Sequence, residues 1–223
     1  MYQEEMIVKP EKVTLNKSIY FIIKRMFDIV VSMIGIIFLI PIAIIVKIVS
    51  ILQGDFQTIF FKQKRLGRKG EYIYIYKFRT MVSNAEEVLE KWLKENEEIR
   101  KEYYETRKIE KDPRITRIGR ILRETSLDEF PQFINILKGE MSFIGPRPIV
   151  PDEIENYKEE EREQFLSMRP GLTGYWASNG RSNTSYEERV EMELYYVSKC
   201  SIWLDIKIMF ATIWSVLKRD GAK

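Results

Sequence analysis

Apolar and polar positions divide this chain sharply. From Ile29 to Val46 the sequence IVVSMIGIIFLIPIAIIV carries no charge, and eighteen residues at about 1.5 Å rise extend about 27 Å, close to the hydrocarbon thickness of a bilayer. Pro41 lies inside the run, where it deletes a backbone hydrogen bond and crowds the carbonyl four residues earlier. A break is expected there. It would leave the arms Ile29–Ile40 and Pro41–Leu52, each about 18 Å long and too short to cross a core of about 30 Å. Basic residues flank the run on both sides, with Lys9, Lys12, Lys17, Lys24 and Arg25 before it and Lys47, Lys62, Lys64, Arg65, Arg68 and Lys69 after it. A spanning helix would concentrate them on one side. The pattern therefore predicts a re-entrant helix-break-helix with both ends cytoplasmic, and a kinked spanning helix is the alternative. A buried core helix fits less well, because the run is apolar on every face.

Beyond the run the periodicity changes. Thr58 to Phe61 and Tyr72 to Phe78 read as strands of a hairpin, split by the basic turn Arg65 to Gly70. Asn84 to about Arg107 is dense in Glu and Lys, with Val88, Trp92, Leu93 and Ile99 at helical spacing, as expected of one long solvated amphipathic helix. Leu127 or Asp128 to Lys138 is a helix stopped by Gly139. Pro151 to Met168 is a second charged helix, Arg169 to Gly174 a loop, and Tyr186 to Tyr196 a helix. Trp203, Ile206, Ile208, Met209, Phe210, Ile213, Trp214 and Leu217 give the C-terminal helix an apolar face with Lys207, Lys218 and Arg219 around it. Core packing and contact with a membrane interface are both open to it. The fold class expected is mixed α/β, with an N-terminal segment and membrane helix over 1–54 and a cytoplasmic-face catalytic domain over 55–223.

Composition narrows the chemistry. The chain has 223 residues, no histidine and one cysteine, Cys200. An internal disulfide framework is excluded, and acid, base and metal work falls to Asp and Glu, with a hard cation such as Mg²⁺ the natural metal. The formal net charge is only +3, but Lys62, Lys64, Arg65, Arg68 and Lys69 cluster just after the apolar run. That suits membrane lipids or a phosphate substrate better than nucleic acid.

The candidate chemistry centres on the octet Thr125-Ser126-Leu127-Asp128-Glu129-Phe130-Pro131-Gln132. Two carboxylates adjoin at a helix start, with Arg114, Arg117, Arg120 and Arg123 before them and Pro146-Arg147-Pro148 after. Guanidinium groups bind phosphate through a planar fork, so the arrangement suggests an anion site. Capping is the plainer alternative. Ser126 with Glu129 has capping-box spacing, although Pro131 would then fall inside the helix, and Asp128 as the cap is the easier geometry.

Several further segments stand in a fixed order: Lys24-Arg25-Met26-Phe27-Asp28, Phe61-Lys62-Gln63-Lys64-Arg65-Leu66-Gly67, Tyr76-Lys77-Phe78-Arg79-Thr80-Met81, Asp112-Pro113-Arg114-Ile115-Thr116-Arg117, the octet, Gly145-Pro146-Arg147-Pro148 and Arg169-Pro170-Gly171-Leu172-Thr173-Gly174. From about Lys24 to the C-terminus the chain resembles the bacterial sugar transferases that are monotopic polyprenyl-phosphate phosphoglycosyl transferases, in their small form without the additional N-terminal membrane bundle. The resemblance implies an enzyme on the cytoplasmic face of the inner or plasma membrane that moves a sugar-1-phosphate from a UDP-sugar to undecaprenyl phosphate. UMP would be released, and the product would start a capsule, exopolysaccharide or O-antigen.

By matched positions the resemblance implies Asp128 as nucleophile, Glu129 as its partner, and Mg²⁺ held at this dyad. Arg147 would grip a phosphate, with Lys77, Arg79, Arg114 and Arg123 as candidates for the remaining phosphate contacts. Trp176, Asn179 and Arg181 lie where the family's nucleotide-sugar loop runs and are assigned to donor binding, with simple packing an equal alternative for Trp176. A carboxylate can carry a phosphoryl group without a histidine base, and a helix N-terminus would keep Asp128 ionised. The rivals are a glycosyltransferase releasing UDP and a non-catalytic membrane-anchored scaffold. The sugar and the oligomeric state, a homodimer included, are left open.

Overall fold

Helix α1 (Leu15–Leu52) has 38 residues, about 57 Å at the usual rise. The computed structural model describes residues 15–106, 109, 112–180 and 184–218. Among these, α1 is the helix long and apolar enough to cross a membrane. One stripe of it, formed by Tyr20, Lys24, Asp28, Ser32, Leu39 and Val46, is buried against the rest of the chain. Ile22, Met26, Ile37, Phe38 and Ile44 on the other faces are each more than half exposed.

The helix does not break at Pro41, which corrects the expected helix-break-helix. Leu39 and Val46, on either side of the proline, both enter the cluster of Ile59, Phe78 and Leu122. Packing thus holds both arms on one surface while the proline forfeits a single backbone donor. The charged groups on the buried stripe are hydrogen-bonded, as burial demands. Lys24 Nζ donates to Asp205 Oδ2 at 2.7 Å and to Tyr196 Oη at 3.2 Å, and Asp28 Oδ1 accepts from Ser142 Oγ at 3.1 Å and Phe143 N at 2.8 Å.

Strands β1 (Phe60–Leu66) and β2 (Tyr72–Phe78) form an antiparallel hairpin, with Phe60 opposite Phe78 and Leu66 opposite Tyr72. The second strand falls where expected. The first is shifted into the basic stretch, because Lys62 and Lys64 can lie over the rings of Tyr76 and Tyr72 on the exposed face. The expected long charged helix is two helices, α2 (Ala85–Glu95) and α3 (Glu97–Thr106). Asn96 divides them, its side chain accepting from the amides of Glu98 and Ile99 at 3.1 and 3.2 Å, which is a new N-cap.

After α4 (Arg117–Glu124), Ser126 adopts a left-handed conformation with φ 55°. A 3₁₀ turn follows over Leu127–Glu129, and then α5 (Gln132–Lys138) closes on Gly139 with φ 84°. Neither capping arrangement expected for the octet forms. Ser126 makes no side-chain cap bond, and Pro131, not Asp128, precedes the first residue of α5. The second charged helix is also shorter than expected, a 3₁₀ segment over Pro151–Asn156 followed by α6 (Glu159–Leu166).

The stretch expected as a loop contains β4 (Gly171–Thr173), paired in parallel with β3 (Ser142–Ile144). Helices α7 (Tyr175–Asn179), α8 (Tyr186–Lys199) and α9 (Ile202–Lys218) complete the order. In α9, Ile208 is buried while Trp203, Phe210 and Trp214 are exposed. Among the described residues the architecture is thus mixed α/β, two small two-stranded sheets among helices, with α1 laid along one side.

Candidate active site

An open cleft gathers side chains from several elements. The hairpin supplies Arg65 and Lys77, the 3₁₀ turn Glu129, the segment after β3 Arg147, α7 Trp176 and α8 Glu193. The left-handed Ser126 turns the chain so that Glu129 meets Lys77, whose Nζ donates to Oε1 at 2.7 Å. Asp128 is half-buried and does not line the cleft. Its carboxyl is pushed up to about 6 by burial and then by the neighbouring Glu129 charge, against the opposing pull of Lys77 and Arg123. Asp128 is thus still mostly ionised at pH 7, but the expected reason, a helix N-terminus at Asp128, is corrected. No long helix starts at Asp128, and desolvation outweighs the local amides.

Arg65 and Arg147, which line the cleft, belong to a guanidinium cluster that Arg189, outside the lining, completes. The Cζ atoms of Arg147 and Arg189 lie 5.3 and 5.1 Å from the Trp176 ring centroid. Burial lowers the pKa of both Arg147 and Arg65, the latter to about 10, and each has another arginine as its next cause. Glu193, 1% exposed, holds the Arg147 backbone through an N–H to Oε1 bond of 3.1 Å. Several buried polar atoms here are unsatisfied: Arg65 Nε, Arg189 Nε and Glu193 Oε2 have no hydrogen-bond partner. Arg189 Nη2 is in charge contact with Glu153 Oε1 at 2.8 Å without being aligned for a hydrogen bond. Unmet donors on a desolvated cationic wall are a receptor for an anion with many acceptor oxygens.

Burial raises Glu193 from 4.5 to about 7. Folding therefore favours its protonated form. Its contribution to stability is complete below pH 4.5 and is lost as pH rises through 7, a span worth about 3 kcal/mol at 1.36 kcal/mol per unit. Glu193→Gln should flatten the fall in unfolding stability between pH 5 and pH 8, measured by denaturant titration in detergent. An unchanged slope in the variant would remove Glu193 as its source.

The other expected residues are placed as follows. Arg79 is committed to Asp55, Nη2 reaching both carboxylate oxygens at 3.0 and 2.8 Å, and to the Thr58 carbonyl. Arg114 pairs with Asp112 at 2.6 Å. Neither lines the cleft, and both brace the ends of the hairpin and of α4. Arg123 donates to Thr80 Oγ1 at 2.9 Å and acts on Asp128 through its charge. Asn179 turns back on its own helix, donating to Tyr175 O at 2.7 Å. Trp176 lines the cleft, its Nε1 donating to Thr184 Oγ1 at 2.7 Å. Arg181 lies outside the described residues.

Sequence reasoning missed Arg189 and Glu193 and gave Arg65 no role in the site. One signal was available, since Val190, Glu193 and Val197 form a buried stripe at helical spacing and a carboxylate on such a stripe needs a reason to be there.

The family model described as "Bacterial sugar transferase" matches residues 19–219. The chain is 41% identical over 219 residues to the undecaprenyl-phosphate galactose phosphotransferase of Salmonella typhimurium, covering 98% of this chain and 45% of that protein. To the exopolysaccharide production protein ExoY of Sinorhizobium fredii it is 40% identical over 214 residues, 96% of this chain and 93% of that one. To the UDP-glucose:undecaprenyl-phosphate glucose-1-phosphate transferase of Escherichia coli it is 36% identical over 200 residues, 86% and 40% of the two chains. The chain thus spans about half the length, or less, of several relatives it matches. With 201 of its residues inside the family model, the chain belongs to the bacterial sugar transferase family.

Proposed function

We propose that this protein is a phosphoglycosyl transferase, moving a sugar-1-phosphate from a UDP-sugar to undecaprenyl phosphate and releasing UMP, as the first membrane step of a surface glycan. The observation that carries this is the cleft itself, where Glu129, with Asp128 next to it in the chain, acts across on Arg65 and Arg147, and where Arg65 Nε and the neighbouring Arg189 Nε are unmet donors. Relatives named as undecaprenyl-phosphate sugar phosphotransferases support the substrate classes. In the proposed sequence an Asp128 carboxylate oxygen attacks the β-phosphorus of the donor. The bond from that phosphorus to the bridging oxygen breaks, and UMP leaves with the oxygen. A phosphate oxygen of undecaprenyl phosphate then attacks the aspartyl phosphosugar and restores the carboxylate. Lys77 and the guanidinium wall neutralise the diphosphate and the leaving group.

Among the described residues no group of three or more acidic or other ligating side chains could cage a metal alone. Mg²⁺, however, is commonly held by one or two carboxylates together with substrate phosphates, and the Asp128–Glu129 pair fits that role. Bound there, it would supply further neutralisation of the diphosphate. The reaction is tested with purified protein in nanodiscs containing undecaprenyl phosphate, Mg²⁺ and a panel of UDP-sugars. UMP is the expected nucleotide, and release of UDP would sink the proposal.

The membrane placement proposed is monotopic, on the cytoplasmic face, with α1 and the exposed aromatics of α9 against one leaflet. Contacts of α1 with the domain extend from Tyr20 to Val46, about 39 Å along the helix axis. A spanning helix would carry that flank of the domain into hydrocarbon, where its polar groups have no partners. Ser18→Cys and Gln57→Cys, each in a Cys200→Ser background, should both resist an impermeant maleimide in intact cells and both react after lysis. Reaction of one alone in intact cells would establish a spanning helix.

A further inference from the structure

A second, open pocket lies outside the cleft, where the N-terminal part of α1 meets the segments around Arg68 and Arg169. Its charges do not balance. Lys24 is neutralised by Asp205, which leaves Arg25, Arg68 and Arg169 facing the single carboxylate of Asp28. Three guanidiniums against one carboxylate leave two positive charges. Arg25 is fixed in place, donating to the carbonyls of Ile136 and Leu137 at 2.7 and 2.9 Å, and the Nε of Arg68 donates to Ser167 O at 3.0 Å. The Arg169 guanidinium makes no hydrogen bond or ion pair among the described residues. Burial and the two neighbouring arginines disfavour its charge, so an arriving anion would be stabilised by a site that now repels itself.

The surroundings identify the source of the anion. Phe21 lines the pocket, and Ile22 and Met26, 62% and 64% exposed, continue from it along the lipid-facing side of α1. A soluble phosphate would have no use for that apolar margin. We propose that this pocket binds the phosphate of an anionic membrane phospholipid, with Arg68 and Arg169 as its clamp and the acyl chains running along α1. The site is separate from the transferase cleft, and the proposal does not depend on the reaction assigned there.

The test uses the full chain in phosphatidylcholine nanodiscs doped with phosphatidylglycerol, with retained lipid read by native mass spectrometry. The wild type should hold one phosphatidylglycerol that survives release from the disc. Arg68→Gln with Arg169→Gln should lose it, with apparent affinity falling roughly fivefold for each charge removed. Lys62→Gln with Lys64→Gln removes the same charge from the exposed hairpin and should change retention less than about twofold. If the double arginine variant does not fold, Arg169→Gln alone carries the test, because that side chain supports no described contact. Equal losses in the arginine and lysine pairs would reduce the effect to diffuse attraction and overturn the proposal. Undiminished retention in the arginine variant would overturn it too. Displacement of the lipid by millimolar glycerol phosphate would make the pocket a soluble-phosphate site, contrary to the proposal.

Discussion

Asp128→Asn should release no UMP above background, a fall of roughly 10³-fold or more, equivalent to about 4 kcal/mol of transition-state stabilisation. Incubated with a UDP-sugar labelled in the sugar and no lipid acceptor, the wild type should retain label on the protein, and Asp128→Asn should retain none. The position of Glu129 makes the comparison informative. Glu129 lines the cleft and Asp128 sits behind it, so geometry alone would favour the wrong member of the pair if Asp128 is the nucleophile. Glu129→Gln should keep a trace of label. Label that persists in Asp128→Asn and vanishes in Glu129→Gln would transfer the covalent role to Glu129. A wild type that releases UMP only when donor and acceptor are both present would replace the covalent route by direct attack.

The same residue sets the acid limb of the rate. With its carboxyl near 6, Asp128 is mostly ionised at pH 7 and gains its proton as pH falls through that value. kcat/KM should then drop about tenfold per unit on the acid side. Lys77 is among the charges that lower this carboxyl, so Lys77→Gln should move the limb to higher pH.

How far the sequence could reach is clearest at particular residues. The hairpin was legible because Tyr72 to Phe78 is rich in aromatic and β-branched residues with a glycine-containing turn before it. The stop of α5 was legible from Gly139. Arg147, Lys77, Glu129 and Trp176 share the cleft as expected. Arg114 is taken by Asp112 two residues before it, a local pairing inside the motif itself, whereas Arg79 diverged because its partner Asp55, 24 residues earlier, becomes one only when the chain folds back. The continuous helix through Pro41 was hidden for a similar reason, since a local rule about proline was overridden by packing on Ile59, Phe78 and Leu122. Buried Asp28 and Lys24 show the same thing, because a helix that reads as a membrane segment carries its polar contacts on one narrow stripe.

Arg169 to Gly174 reads as a loop because of its glycines and proline, and the structure gives those glycines a different purpose. A Cβ at Gly171 would land on the amide nitrogen of Gly145 and the carbonyl oxygen of Thr173, and one at Gly145 would come within 2.6 Å of Arg169 O. These are backbone atoms, which cannot swing aside as the end of a side chain can. Gly171→Ala should therefore force β3 and β4 apart, breaking the bonds from Gly171 N to Pro146 O at 2.8 Å and from Gly145 N to Thr173 O at 2.9 Å. A cost of about 3 kcal/mol, the upper range for overpacking, corresponds to a fall in Tm of roughly 6–12 °C for a domain of this size. Turnover should fall with it, because Gly145 leads directly to Arg147 in the cleft wall. Gly70→Ala is the control. Gly70 has φ +77° but nothing closer than 3.7 Å to an added Cβ, so only conformational strain of about 1–2 kcal/mol is at stake. If the two variants melt together, or Gly171→Ala melts later, then β3 and β4 tolerate a methyl between them and close backbone approach is not why glycine stands at position 171.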